Sequence, residues 1–356
     1  MEKKWNIGWG PVSVCNMNCK FCYSKMTRKT ENDLQFKNWK KFIDENYDCI
    51  NTINYGTSEN SISNDWFELI KYVSDFQIPQ ALTTNGYISE RMQDTKFEMI
   101  FNHAISEVDV SLDFGDKEKH NIWRGQAKAY DWAINTLKYC SQRNINTTLV
   151  FIGTNDTLKI DNLESLFRIA KDYNVKLRMN IFRPTMNNEE IKNRFTADYH
   201  TIISALEHIN SQHKILQICD PLFHSILTNT NIRKEDPSGM NSLRILSNGD
   251  ITPSTYLISK EFIIDNIQTS NVLRKIPDVS IDRIIPRKCR NCYFVDTCSG
   301  GVFDRRYLWY NTFNEPDPYC PYVDGNYLPD FKVELDKNPS FSSIHDGYLP
   351  TMFFEF

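Results

Sequence analysis

The sequence predicts an α/β fold, a parallel (β/α)6 barrel or partial barrel followed by a smaller cysteine-rich domain, and three observations carry that reading. Short β-branched, apolar runs alternate with helix-like stretches through the first 185 residues. Beyond about residue 236 the alternation gives way to a hairpin and loops. Seven of the ten cysteines fall into two groups, one near each end. The expected division is a barrel at 1–185, a helical bridge at 186–235, a cysteine-rich domain at 236–325 and a tail at 326–356.

In chain order, strands are expected at 6–14, 49–55, 79–85, 106–113, 145–152 and 175–182. Helices lie between them, among them 64–76, with Ser63 or Asn64 as N-cap. Another is 129–143, where Trp132, Ile134, Leu137 and Tyr139 recur at roughly helical spacing. Strands alternating with helices imply parallel pairing, with the chemistry on loops at the strands' C-terminal ends. Residues 186–234 read as helical and polar. The run "SLRILSNGDITPSTYL" (242–257) reads as a hairpin, with Asn248-Gly249 suited to a type I′ turn. The aromatic tail "YLPTMFFEF" is expected to pack back onto the body.

A net charge of −4 gives no basic excess for nucleic acid, and no apolar run reaches membrane-spanning length. The N-terminus lacks a signal peptide's apolar core, so a cytoplasmic setting with reduced thiols is expected. There, clustered cysteines favour metal sites over disulfides. Cys15, Cys19 and Cys22 form C-x3-C-x2-C directly after the first strand. Zinc would want a fourth ligand nearby, whereas three thiolates on a [4Fe–4S] cluster leave one iron open. Zinc remains the plainer alternative.

This motif, with Phe21 before its third cysteine, resembles the radical S-adenosylmethionine (radical SAM) superfamily. The resemblance implies a cluster on Cys15, Cys19 and Cys22 whose free iron binds SAM. The pair then yields a 5′-deoxyadenosyl radical. It extends to "YGTSENS" (55–61), where the family carries a Gly-Gly-Glu-like segment that holds the SAM amino group. Thr57 and Ser58 replace the usual glycines, and Glu59 is the charged partner; read alone, Glu59 is a solvent-facing loop residue. "LTTNGY" (82–87), with Thr84 and Asn85, and "VSLDFGDKEKHNIWRG" (110–125), with Ser111 and Arg124, add further SAM-pocket candidates.

Cys289, Cys292 and Cys298 form C-x2-C-x5-C, and Cys320 comes after them. By spacing alone four thiolates suit zinc or a closed [4Fe–4S] cluster. With "LRILSNGDITPS", "IIDNI" (263–267) and Cys-x-Gly-Gly, the segment resembles the SPASM domain of radical SAM enzymes. The resemblance assigns these four cysteines to the outer of that domain's two auxiliary clusters. Ser254 and Val302 stand where inner-cluster cysteines are usual, so two clusters in all are expected rather than three.

The same resemblance implies hydrogen abstraction from a C–H bond, most naturally in a ribosomally made precursor peptide, with crosslinking, epimerisation or oxidation as outcomes. An electron donor such as flavodoxin or ferredoxin is implied. The short stretch before Cys15 leaves no room for a separate leader-binding domain. A dehydrogenase or epimerase acting on a sugar or antibiotic intermediate is the second expectation, and a zinc-stabilised binding protein the third. Candidates for an acid, base or hydrogen donor are Asp113, Tyr256 and Cys219. Arg178 and Arg183 are candidates for a carboxylate, with surface salt bridges as the alternative.

Overall fold

The computed structural model describes residues 3–28, 32–185, 188–228, 232–277, 284–336 and 341–356. Strands β1 (Trp5–Trp9), β2 (Ile50–Tyr55), β3 (Gln80–Thr84), β4 (Glu107–Ser111), β5 (Asn146–Gly153) and β6 (Lys176–Ile181) pair in sequence order, all parallel. Intervening helices cover the sheet, as parallel pairing requires. The helix Asn64–Ser74 is typical: Ser63 Oγ accepts from the Trp66 N–H at 3.4 Å, and Trp66, Phe67, Ile70 and Val73 face inward. Trp66 packs edge-on to Tyr55 of β2, which in turn stacks with Trp9 of β1.

Five more strands widen the sheet. They are β7 (Lys214–Ile218), β8 (Ser242–Ile245), β9 (Asp250–Thr252), β10 (Asp265–Asn266) and β11 (Met352–Glu355). The order is β10-β9-β8-β1-β2-β3-β4-β5-β6-β11-β7, an open, partial barrel. β8 runs parallel to β1, so the hairpin after residue 236 extends the barrel's first edge. The aromatic tail does pack back: β11 lies antiparallel between β6 and β7.

Three expectations need correction. β1 ends at Trp9 rather than residue 14, because Pro11 has no N–H for the ladder. The region expected to be helical and polar contains β7, whose short apolar run gives no period by which to tell strand from helix. The hairpin turn is not type I′, which needs positive φ at both central residues. Only Gly249 has it (φ +86), with its N–H donating to the Leu246 carbonyl at 2.9 Å. Among the described residues no helix is long and apolar enough to cross a membrane.

Candidate active site

Beyond β1 the chain forms a loop that carries three free thiols. Cys19 is buried, Cys15 and Cys22 half-buried, and all three open on a cavity at the C-terminal ends of the parallel strands. Burial pushes the Cys15 and Cys19 thiols up, Cys19 to about 11, against the pull of Arg28 and Arg124. Arg28 Nη2 donates to Cys22 Sγ at 3.0 Å, and the Cys19 thiol to the Arg124 carbonyl at 3.5 Å. A metal that displaced these protons would leave thiolates whose negative charge Arg28 and Arg124 help to compensate. Thiolates around one zinc lie about 3.8 Å apart, given Zn–S bonds near 2.3 Å. Among the described residues no three cysteine sulfurs lie within 4.8 Å of one another. Three soft sulfur donors on one loop, with no fourth ligand beside them in sequence, suit a [4Fe–4S] cluster with one open iron.

Cavity walls come from the strand ends. Phe21, tilted against Trp123 at 5.1 Å and under the Arg124 guanidinium at 5.2 Å, lines it with Ser58, Thr84, Asn85, Ser111 and Arg124. Thr57 and Ser58 hold φ of +74° and +56°, a left-handed backbone costing roughly 1–2 kcal/mol per residue outside glycine. The backbone therefore keeps a glycine-type geometry although the glycines are gone.

Glu59 requires a correction. It is fully buried and lies outside the cavity lining, rather than facing solvent. Its carboxylate accepts from Ser61 Oγ at 2.6 Å, from Thr84 Oγ1 at 2.9 Å and from the Asn85 N–H at 2.7 Å. Glu59 thus braces Thr84 and Asn85 instead of presenting a free charge.

Of the acid, base or donor candidates, Asp113 and Tyr256 line the cavity and Cys219 does not. Asp113 is fully buried and paired with Arg124 at 2.6 Å; burial pushes its carboxyl up against that pair's pull. Burial takes the Tyr256 phenol to about 12. The Cys219 thiol points away, donating to Asp346 at 2.8 Å. Arg178 and Arg183 are not surface residues: at 1% and 2% exposure they line the cavity, paired with Asp109 and Asp304. Sequence reasoning missed Arg244, His345 and Tyr348, which also line it. A lone arginine in the apolar run of β8 was a readable signal; His345 and Tyr348 arrive through tail packing and left none.

The four C-terminal thiols surround a separate small apolar cavity, walled by Leu222, Ile226 and Phe294. Gly301 (φ +88) packs where a Cβ would meet Asp317 Oδ2 at 2.4 Å, which lets the Val302 N–H donate to that carboxylate at 2.9 Å. Arg305, fully buried, ties Asp317 (2.6 Å) to Asp220 (2.7 Å) and so fixes this segment to the chain before it. Ser254 Oγ donates to Asp304 at 2.6 Å, and Val302 is fully buried.

Residues 10–168 match the radical SAM superfamily. Mycofactocin maturase MftC of Mycolicibacterium smegmatis is 21% identical over 349 residues, covering 93% of this chain and 86% of that protein. Among solved structures, Streptococcus suis SuiB bound to precursor peptide SuiA superposes with TM-score 0.70 at 15% identity, over 90% of this chain and 76% of that one. Native anSMEcpe with bound AdoMet and a peptide gives TM-score 0.69 at 17% identity, over 89% of this chain and 94% of that one. A thiol loop at the head of a partial barrel and a four-thiol segment after it agree with these matches. Residues 10–168 thus carry a radical SAM domain, of a superfamily that works with a [4Fe–4S] cluster and S-adenosylmethionine, and the likeness to these proteins continues through the four-thiol segment.

Proposed function

We propose that this enzyme modifies a ribosomally made peptide by removing hydrogen from one of its C–H bonds, leading to a crosslink, an epimer or an oxidised residue. The observation that carries this is the cavity itself: it begins at the thiol loop and ends on Tyr256 and Tyr348, both from the C-terminal half. A substrate group held there would lie between barrel and appended domain. The name of MftC and the peptide complexes of SuiB and anSMEcpe point to the same substrate class.

In this reading Cys15, Cys19 and Cys22 hold the SAM-binding cluster, and Cys289, Cys292, Cys298 and Cys320 a second, fully ligated one. When bound, the first cluster and SAM supply a 5′-deoxyadenosyl radical, which takes a hydrogen atom to become 5′-deoxyadenosine. The protein's part is placement. Arg124, Ser111 and Asn85 orient SAM, Phe21 and Trp123 wall the loop from water, and Asp113 holds Arg124 in place. The domain limits 1–185, 186–235, 236–325 and 326–356 are proposed on the same basis. The test is anaerobic incubation of reduced, reconstituted protein with SAM. 5′-Deoxyadenosine and methionine are expected, and none above background once Cys15, Cys19 and Cys22 are all changed to Ala. Undiminished cleavage by that variant would overturn the ligand assignment.

A further inference from the structure

One wall of the cavity carries positive charge that the fold leaves uncompensated. Arg244 on β8 is 1% exposed. Its Nη2 donates to the Gly56 carbonyl at 3.0 Å, its Nε has no partner, and among the described residues no carboxylate lies within ion-pair distance. Arg178 on β6 gives Nη2 to Asp109 at 2.8 Å and leaves Nε and Nη1 unpartnered. That carboxylate is itself shared with His345 Nε2 at 2.9 Å. Arg183 gives Nε to Asp304 at 2.7 Å and Nη1 to the Ile181 carbonyl at 3.1 Å, leaving Nη2 free. Asn180 adds a buried Oδ1 with no donor. All four side chains line the same cavity. The arginines at the thiol loop are different ones, Arg28 and Arg124.

A buried guanidinium without a counter-charge is costly, and buried N–H groups without acceptors add to the cost. Three arginines, one from β8 and two from β6 and the loop after it, converging this way make a preorganised receptor for a planar anion. Guanidinium forks match a carboxylate's paired oxygens, and Asn180 Oδ1 can take an N–H beside it. We infer that Arg178, Arg183 and Arg244 bind a carboxylate of the substrate, so that an acidic group anchors the segment presented to the radical. This deepens the proposed function and rests on it. SAM also bears a carboxylate, so two sources share this chemistry.

The test uses the reconstituted full chain, kept anaerobic, melted with N-acetylglycine or with its amide at matched ionic strength. The acid should raise the Tm by a few degrees through selective binding to the folded state, and the amide should not. Arg244→Met should abolish the acid-specific shift and, with no ligand, melt above the parent, because the uncompensated charge is gone. Should that variant not fold, Arg244→Gln, which keeps a donor for the Gly56 carbonyl, gives the same comparison. SAM binding by equilibrium dialysis should change by less than about twofold in the variant. SAM binding weakened about tenfold would assign the wall to SAM and overturn the substrate role. Equal shifts from acid and amide, or an acid shift that persists in the variant, would also overturn it. Failure of the radical SAM reading would show separately, as a parent enzyme that binds the acid but does not cleave SAM.

Discussion

The two cysteine groups use the same ligand type for opposite ends. The N-terminal three sit on a loop that opens into a cavity lined by arginines, hydroxyls and amides. The C-terminal four surround a small, apolar space, locked from behind by the buried Asp220–Arg305–Asp317 triad. An odd thiol count beside a polar cavity leaves a coordination position for chemistry. On the proposed ligand assignment, a complete set in an apolar pocket leaves none, which suits a structural or electron-transfer role. The surroundings separate the two as much as the number of ligands does.

The largest effect that would break this comparison is a split of iron content from activity. Two clusters mean about eight irons per chain. Changing Cys15, Cys19 and Cys22 together to Ala should leave about four irons, no SAM cleavage, and an absorbance spectrum insensitive to SAM. Ser254 and Val302 contribute no thiolate, so reconstitution to about twelve irons would refute the two-cluster count. Cys49, Cys140 and Cys219 changed singly to Ser should leave iron unchanged.

Next comes the lock behind the closed site. Arg305→Met strands two buried carboxylates, Asp220 and Asp317, and removing one partner of a buried pair costs about 3–5 kcal/mol. Because Asp317 holds the Val302 N–H and packs on Gly301, the damage should centre on the four-thiol segment. Iron analysis and a denaturant melt should show loss of about half the iron, at lower stability. A variant that keeps all its iron would show that the segment stands without this anchor.

These contrasts are only partly legible in the sequence. Cysteine spacing and β–α alternation are local, so the six parallel strands and both thiol groups could be read directly. The burial of Glu59 depends on Thr84 and Asn85, in a different β–α unit, and so leaves no local signal. β7 is held by β11, which lies at the far end of the chain. His345 reaches the cavity by the same tail, through Asp109 and Glu107. Contacts made by distant segments leave no period or motif behind.

Acid should separate the two regions. His224 lies on the helix Pro221–Leu227, whose Leu222 and Ile226 wall the four-thiol cavity. Burial, with Lys234 nearby, lowers its pKa from 6.5 to about 4, against the pull of Asp220. As pH falls below 6.5 the unfolded chain takes up this proton before the folded one does. Stability from this group is therefore intact above about pH 6.5 and lost progressively down to about 4. Melts across that window should show a decline that His224→Phe flattens. An identical slope in the variant would place the acid sensitivity elsewhere.

The smallest effect belongs to the open site, where the backbone keeps a glycine shape without glycine. Thr57→Gly with Ser58→Gly relieves left-handed strain of roughly 1–2 kcal/mol per residue. It also gives back conformational freedom to the unfolded chain, roughly 0.5–1 kcal/mol per glycine. Two hydrogen bonds go as well, Tyr23 to Thr57 at 3.2 Å and Ser58 to the Ser13 carbonyl at 3.0 Å, each worth about 0.5–1.5 kcal/mol. These terms nearly cancel, so stability should move by less than about 1 kcal/mol. If backbone shape rather than side-chain chemistry is what this turn supplies, SAM cleavage should persist in the double variant. Loss of cleavage at unchanged stability would mean instead that the Thr57 or Ser58 hydroxyl touches the cofactor, and would give this turn a chemical role beyond its backbone shape.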